Sequence, residues 1–184
     1  IWLGHERHGF DYTDEEAVHA QAERARKVIL RYRDHPAVLL WSIGNEMEAS
    51  GDNPAVWSAV NQIARICHAL DPHHPTMTVI AEVGGNKIVN LHRFCPDIDI
   101  VGINTYGGAR DVGQRYRDAG GTKPFIMTEF GPPGHWEMET LPWGAPRELT
   151  STEKGEWYAI AHRAALIDHA DLCLGGYAFL WGAK

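Results

Sequence analysis

The chain has 184 residues, 44% of them hydrophobic and 22% charged, with a formal net charge of -7, a composition that suits one globular domain and excludes a disordered chain. Lys and Arg are scattered rather than drawn into a stripe, so nucleic acid is not an expected partner, and no apolar run reaches the roughly 20 residues that span a bilayer, so neither is a membrane. Cys67, Cys95 and Cys173 form neither a C-x-x-C pair nor an even set for a disulfide framework, and read as small buried residues.

The first segment, "IWLG", reads as an apolar strand, and "IWLGHERHGF" lacks the basic start, apolar core and cleavage site of a signal peptide. "TDEE", Thr13 to Glu16, has the capping-box pattern and predicts a helix from about 14 to 33, with Val18, Ala22, Ala25, Ile29 and Tyr32 on one face and His35-Pro36 ending it. "AVLLWSIGNE" is an apolar strand that turns through Gly44 and delivers Asn45 and Glu46 side by side. Asn53 and Pro54 then start a second helix, whose buried face is Val56, Val60, Ile63, Cys67 and Leu70. "DPHHP" is a turn, in which His73 and His74 read as turn residues rather than metal ligands. After it come a strand at 76–83, a short helix at 86–94, a strand at 97–106, a helix at 109–120 weakened by Gly113, and a strand at 123–131. A long loop rich in Pro, Gly and Trp follows. Thr150 and Glu153 open a helix to about 169, and 172–181 closes the chain as a strand.

Apolar strands alternating with helices predict an α/β fold with a parallel sheet. No G-x-G-x-x-G follows a strand and there is no P-loop, so a nucleotide-binding sheet lacks its signature. Five strand ends instead carry polar or aromatic groups: Glu6 and His8, Asn45 and Glu46, Asn104 and Tyr106, Glu129, and Trp181. Groups gathered from many strand ends suit the mouth of a barrel. A complete (β/α)8 barrel takes about 250 residues, roughly 31 per unit, so this length holds about six units. The expected architecture is an incomplete (β/α)8 TIM barrel of about six strands.

Hydrolysis of a glycosidic bond with retention needs one carboxylic acid to protonate the leaving oxygen and one carboxylate to attack the anomeric carbon. Glu46 and Glu129 suit that pair, because they end different strands and can face each other across the mouth. Asn45 is placed to donate to a sugar hydroxyl and Tyr106 to donate to Glu129. Either glutamate alone is explained by a solvated side chain at the start of a loop.

The ordered set "WSIGNE", "TEFG" and "GGYAFLWG" resembles the catalytic barrel of glycoside hydrolase family 2, the β-galactosidases, β-glucuronidases and β-mannosidases, within a larger clan of retaining barrel glycosidases. The resemblance also takes in "HPAVLLWSIGNE", "DPHHP", the Asn-x-Tyr at Asn104 and Tyr106, and Trp181. It implies that the six strands are the third to eighth of the barrel, that Glu46 is the acid/base and Glu129 the nucleophile, and that the substrate is a carbohydrate. "GHERHGF" resembles the Glu-x-His-Gly of β-galactosidases, which implies a magnesium ion held by Glu6 and His8 together with Glu46. The two-carboxylate scheme itself requires no cofactor. Strands one and two and the β-sandwich domains of the family have no counterpart here, which implies either a place within a longer multidomain chain or a homo-oligomer that covers the open edges. Two further readings remain open: a sugar-binding remnant without turnover, and an endo-glucanase or transglycosidase of the same clan, with Trp136 and Trp143 as stacking platforms.

Overall fold

A computed structural model describes residues 1–180. Its strands are β1 (Trp41–Asn45), β2 (Thr76–Ala81), β3 (Ile100–Thr105), β4 (Phe125–Phe130) and β5 (Cys173–Ala178), all parallel in the order β1-β2-β3-β4-β5. Helices α1 (Glu15–Tyr32), α2 (Pro54–Leu70), α3 (Lys87–Phe94), α4 (Val112–Asp118) and α5 (Ser151–His162) alternate with them. This is the expected α/β architecture, a partial TIM barrel, with five strands among the described residues rather than six. "IWLG" is not a strand: Ile1 bonds through its backbone to Ser42 and accepts from Gly44 N at 2.9 Å, two contacts along β1 that fall short of a ladder.

The starts of α1, α2 and α5 follow from side-chain capping. At α1 the cap is Asp14, whose carboxylate accepts from the amides of Glu16 and Ala17, while Thr13 is turned back onto Asp11. The expected box at Thr13 is therefore displaced by one residue, a carboxylate being the stronger acceptor at a helix N-terminus. Asn53 caps α2 with Pro54 in its first turn. Thr150 and Glu153 close a reciprocal capping box on α5, and the Thr150 amide and hydroxyl together with Arg147 pull the Glu153 carboxyl down to about 2. The helix ends earlier than the sequence predicts, continuing as a π-helical turn at Arg163–Ile167.

The larger core lies between the helices and one face of the sheet: Ala22, Ala25 and Ile29 of α1 and Val56, Val60, Ile63 and Cys67 of α2 join Ile80, Val101, Ile103, Phe125 and Met127 of the strands. Tyr32 and Leu70, expected on those faces, stay partly exposed at the helix ends. All three cysteines are buried and free, and burial pushes the Cys67 and Cys95 thiols up to about 12, so they are packing residues. The opposite face of the sheet holds a smaller cluster, Met77, Val79, Ile100 and Ile126 with Leu40 against it. Parallel strands place all their carboxyl ends on one edge, and Asn45, Glu46, Asn104, Tyr106 and Glu129 collect there.

Candidate active site

Glu46 owes its position to the way β1 ends. Gly44 has φ 76°, and a Cβ there would run into the Met47 side chain. Glu46 follows at φ 49°, in the left-handed region that a non-glycine residue occupies at a cost of roughly 1–3 kcal/mol. Its amide donates to Val79 O at 3.0 Å, which secures the turn against β2. The next strand repeats the device: Glu82, just past β2, has φ 60° and donates to Asn104 O at 2.8 Å.

The Glu46 carboxylate has partners on both oxygens. Asn104 donates to Oε1 at 2.9 Å and Arg7 to Oε2 at 3.2 Å. Asn104 is buried, its amide nitrogen also donates to Asn45 Oδ1 at 3.1 Å, and its oxygen accepts from the Thr128 hydroxyl at 2.7 Å. With donor and acceptor ends both engaged, its orientation is fixed, and β1, β3 and β4 are joined at one point. Glu129, near the end of β4, accepts from the Tyr106 hydroxyl at 2.5 Å. Burial, the hydrogen bond to Glu129 and the charge of Glu129 together raise the Tyr106 hydroxyl far above its ordinary value, so it stays protonated and remains a donor. Tyr106 meets the rings of Trp136 and Phe179 edge to face, at 5.6 and 6.0 Å between centroids.

Glu46 and Glu129 line one cleft of about 590 Å³, together with Arg7, Asn104, Tyr106 and Trp136. Asn45 does not line it; it is exposed and reaches the site through Asn104. Trp143 does not line this cleft; it stands 74% exposed on a turn closed by Leu141 and Ala145. Trp181 lies outside the described residues.

Glu6 and His8 do not join Glu46. The expected extended strand is a 3-10 turn, Glu6–His8, and at three residues per turn side chains two apart diverge instead of sharing a face. Glu6 accepts from the Asn53 amide and the His8 ring packs near that of His5, at 5.1 Å, while the intervening Arg7 reaches Glu46. Among the described residues, no group of three His, Cys, Asp or Glu side chains is disposed to hold a metal ion. These residues do not fit the magnesium that the resemblance implies.

Arg7, Glu82, Thr128, Glu137 and Phe179 are site residues that sequence reasoning missed. Glu82 accepts from Thr105 at 2.8 Å and Arg115 at 2.9 Å. Glu137 accepts from the amides of Gly107, at 3.2 and 3.0 Å to its two oxygens, and of Gly134 at 2.7 Å, tying the loop after β4 to the loop after β3.

The family model for glycosyl hydrolases family 2, TIM barrel domain, matches residues 6–138. A probable mannan endo-1,4-beta-mannosidase F of Aspergillus flavus is 23% identical over 162 residues, covering 72% of this chain and 34% of that relative. The chain thus spans about a third of the length of this curated relative. Among solved structures, a beta-D-glucuronidase of Dictyoglomus thermophilum superposes with a TM-score of 0.65 at 20% identity, covering 90% of this chain and 29% of that one. A GH2 beta-galacturonidase of Eisenbergiella tayi, bound to galacturonate, gives a TM-score of 0.64 at 18% identity, covering 90% and 29%. At these identities the solved structures speak for the fold.

Proposed function

This chain belongs to the TIM-barrel domain family of the family 2 glycosyl hydrolases, and from that premise we propose that its cleft cleaves β-glycosidic bonds with retention, Glu129 acting as nucleophile and Glu46 as acid/base. The observation that carries the reading is the placement of both carboxylates in one cleft at the carboxyl ends of β1 and β4, each with its own set of donors. In the first step a Glu129 oxygen attacks the anomeric carbon as the bond to the leaving oxygen breaks, and Glu46 gives that oxygen its proton. In the second, Glu46 takes a proton from water, whose oxygen attacks the anomeric carbon and releases Glu129. The aromatic wall of Tyr106, Trp136 and Phe179 offers apolar surface to the sugar, and Asn104 holds the acid/base in register. The relatives carry mannosidase, glucuronidase and galacturonidase names, which agree on a glycosidic bond and differ on the sugar.

Azide separates the two roles. With an aryl β-glycoside that the wild type turns over, Glu129→Ala should lose turnover and regain it with azide as the α-glycosyl azide. Glu46→Ala should instead yield the β-azide, because the covalent intermediate still forms. Exchanged products would exchange the assignments, and rescue of neither variant would remove the two-glutamate scheme.

A further inference from the structure

We infer that the catalytic cleft continues past Trp136 into a second sugar subsite, so that the substrate is an oligosaccharide or polysaccharide rather than one sugar on a small aglycone. The inference rests on the glycosidase reading above. A second cleft, of about 480 Å³, adjoins the first, and the two share Tyr106, Trp136 and Phe179. The shared rings form a partition with an aromatic surface toward each side.

The lining of the second cleft suits a pyranose. Pro132, Pro133 and Tyr158 supply apolar and aromatic surface, against which the C–H face of a sugar packs, while Lys154, Glu148 and His135 stand among them as donors and acceptors for hydroxyls. Lys154 and Glu148 pair with each other at 3.0 Å. Tyr158 is held by its hydroxyl, which donates to Phe179 O at 2.9 Å, and by its edge-to-face contact with Phe130 at 5.9 Å.

Trp136 is 62% exposed although it forms the partition, and the chain fixes it from both sides. Its ring packs edge-on against Tyr106 and His135, at 5.6 and 5.1 Å. Its backbone lies in the Gly134–Glu137 turn, which Glu137 clasps by accepting from Gly134 and Gly107. A large apolar ring held exposed between two contiguous clefts is a platform prepared before the ligand arrives, which spares the ordering cost on binding. The other tryptophan of this loop, Trp143, borders neither cleft and is no part of the subsite.

The test is calorimetric titration of the intact Glu129→Gln chain, which binds without turnover, with β-linked gluco-, manno- and galacto-oligosaccharides of two to five residues. In at least one series, affinity should tighten about tenfold once the ligand is long enough to span both clefts. Trp136→Ala should abolish that gain and Lys154→Ala should reduce it, with circular dichroism confirming that each variant is folded. Affinity that is flat with length, that is absent in every series, or whose gain survives both variants overturns the subsite. A wild-type chain that shows the length-dependent binding but turns over none of these sugars and no aryl glycoside would leave the subsite standing and end the hydrolase reading.

Discussion

Tyr106 couples Glu129, the proposed nucleophile, to the aromatic wall. Its hydroxyl holds Glu129 at 2.5 Å while its ring meets Trp136 and Phe179, so one side chain sets both the aim of the carboxylate and the surface proposed to receive the sugar. A hydrogen bond to a charged group contributes about 1.5–3 kcal/mol. Tyr106→Phe keeps the ring and loses the donor, and kcat/KM for an aryl glycoside should fall roughly ten- to hundredfold with little change in melting temperature. Steady-state kinetics beside a thermal melt check this; an unchanged kcat/KM would mean that the hydroxyl does not position Glu129. Arg7 stands in a comparable relation to Glu46, bonding both its carboxylate and its backbone carbonyl, at 3.2 and 3.4 Å. The side chain between the two residues that resemble metal ligands is thus the one that supplies positive charge beside Glu46.

At the scale of elements, the strand ends and the turns that feed them carry the design. The turn after α2 is organised by Asp71, which is buried and accepts from Trp41 Nε1 at 2.9 Å, from the His73 amide at 3.2 Å, and bonds the His74 ring at 2.7 Å. Burial works against its charge, but the bonds from Trp41, His74 and the His73 amide outweigh it and hold the carboxyl below its ordinary value. A carboxyl depressed in the folded state contributes stability that is complete above its unfolded pKa, about 3.9, and is lost as pH falls through the lower folded value. Asp71→Asn should therefore cost about 1.5–3 kcal/mol near neutral pH, and the gap from wild type should close below about pH 4. Thermal melts from pH 7 to 2.5 measure it, and a gap that stays constant across that range would show that the charge of Asp71 is not what stabilises the turn.

The elements also show what was legible in the sequence. The starts of α1, α2 and α5 and the positions of Glu46, Asn104, Tyr106 and Glu129 follow local rules of capping, apolar runs and strand ends. The apolar run at 37–43 overstates its strand, which begins only at Trp41: Ala37 and Leu39 are exposed and Val38 and Leu40 only partly buried, so hydrophobicity there reports neither burial nor backbone pairing. Gly113, read as a weak point in α4, is where His169 packs too close for any Cβ. Arg7, Glu82 and Glu137 escaped notice because their partners are distant in sequence: Arg7 lies 39 residues from Glu46, and Glu137 lies 30 from Gly107.

For the whole molecule, the sheet has a well-covered face against the helices and a thinly covered one opposite. On the latter a cavity of about 440 Å³ lies among Leu39, Leu40, Ile100, Ile126, Leu174 and Tyr177, with Leu39 71% and Leu174 60% exposed. Apolar surface of this kind beside a strand edge promotes association. The isolated 184-residue chain should self-associate, its apparent mass rising with concentration in light scattering. A monomer of constant mass that melts cooperatively would show that this face needs no cover. That this partial barrel gathers two glutamates into a retaining site is tested by covalent trapping. The chain is inactivated with a 2-deoxy-2-fluoro β-glycosyl fluoride of the sugar it accepts, which slows release of the glycosyl-enzyme, and the adduct is mapped by peptide mass spectrometry. One sugar per chain, esterified to Glu129, is the expected result. A label on Glu46 or another residue, or continued hydrolysis with inverted product and no adduct, would contradict it.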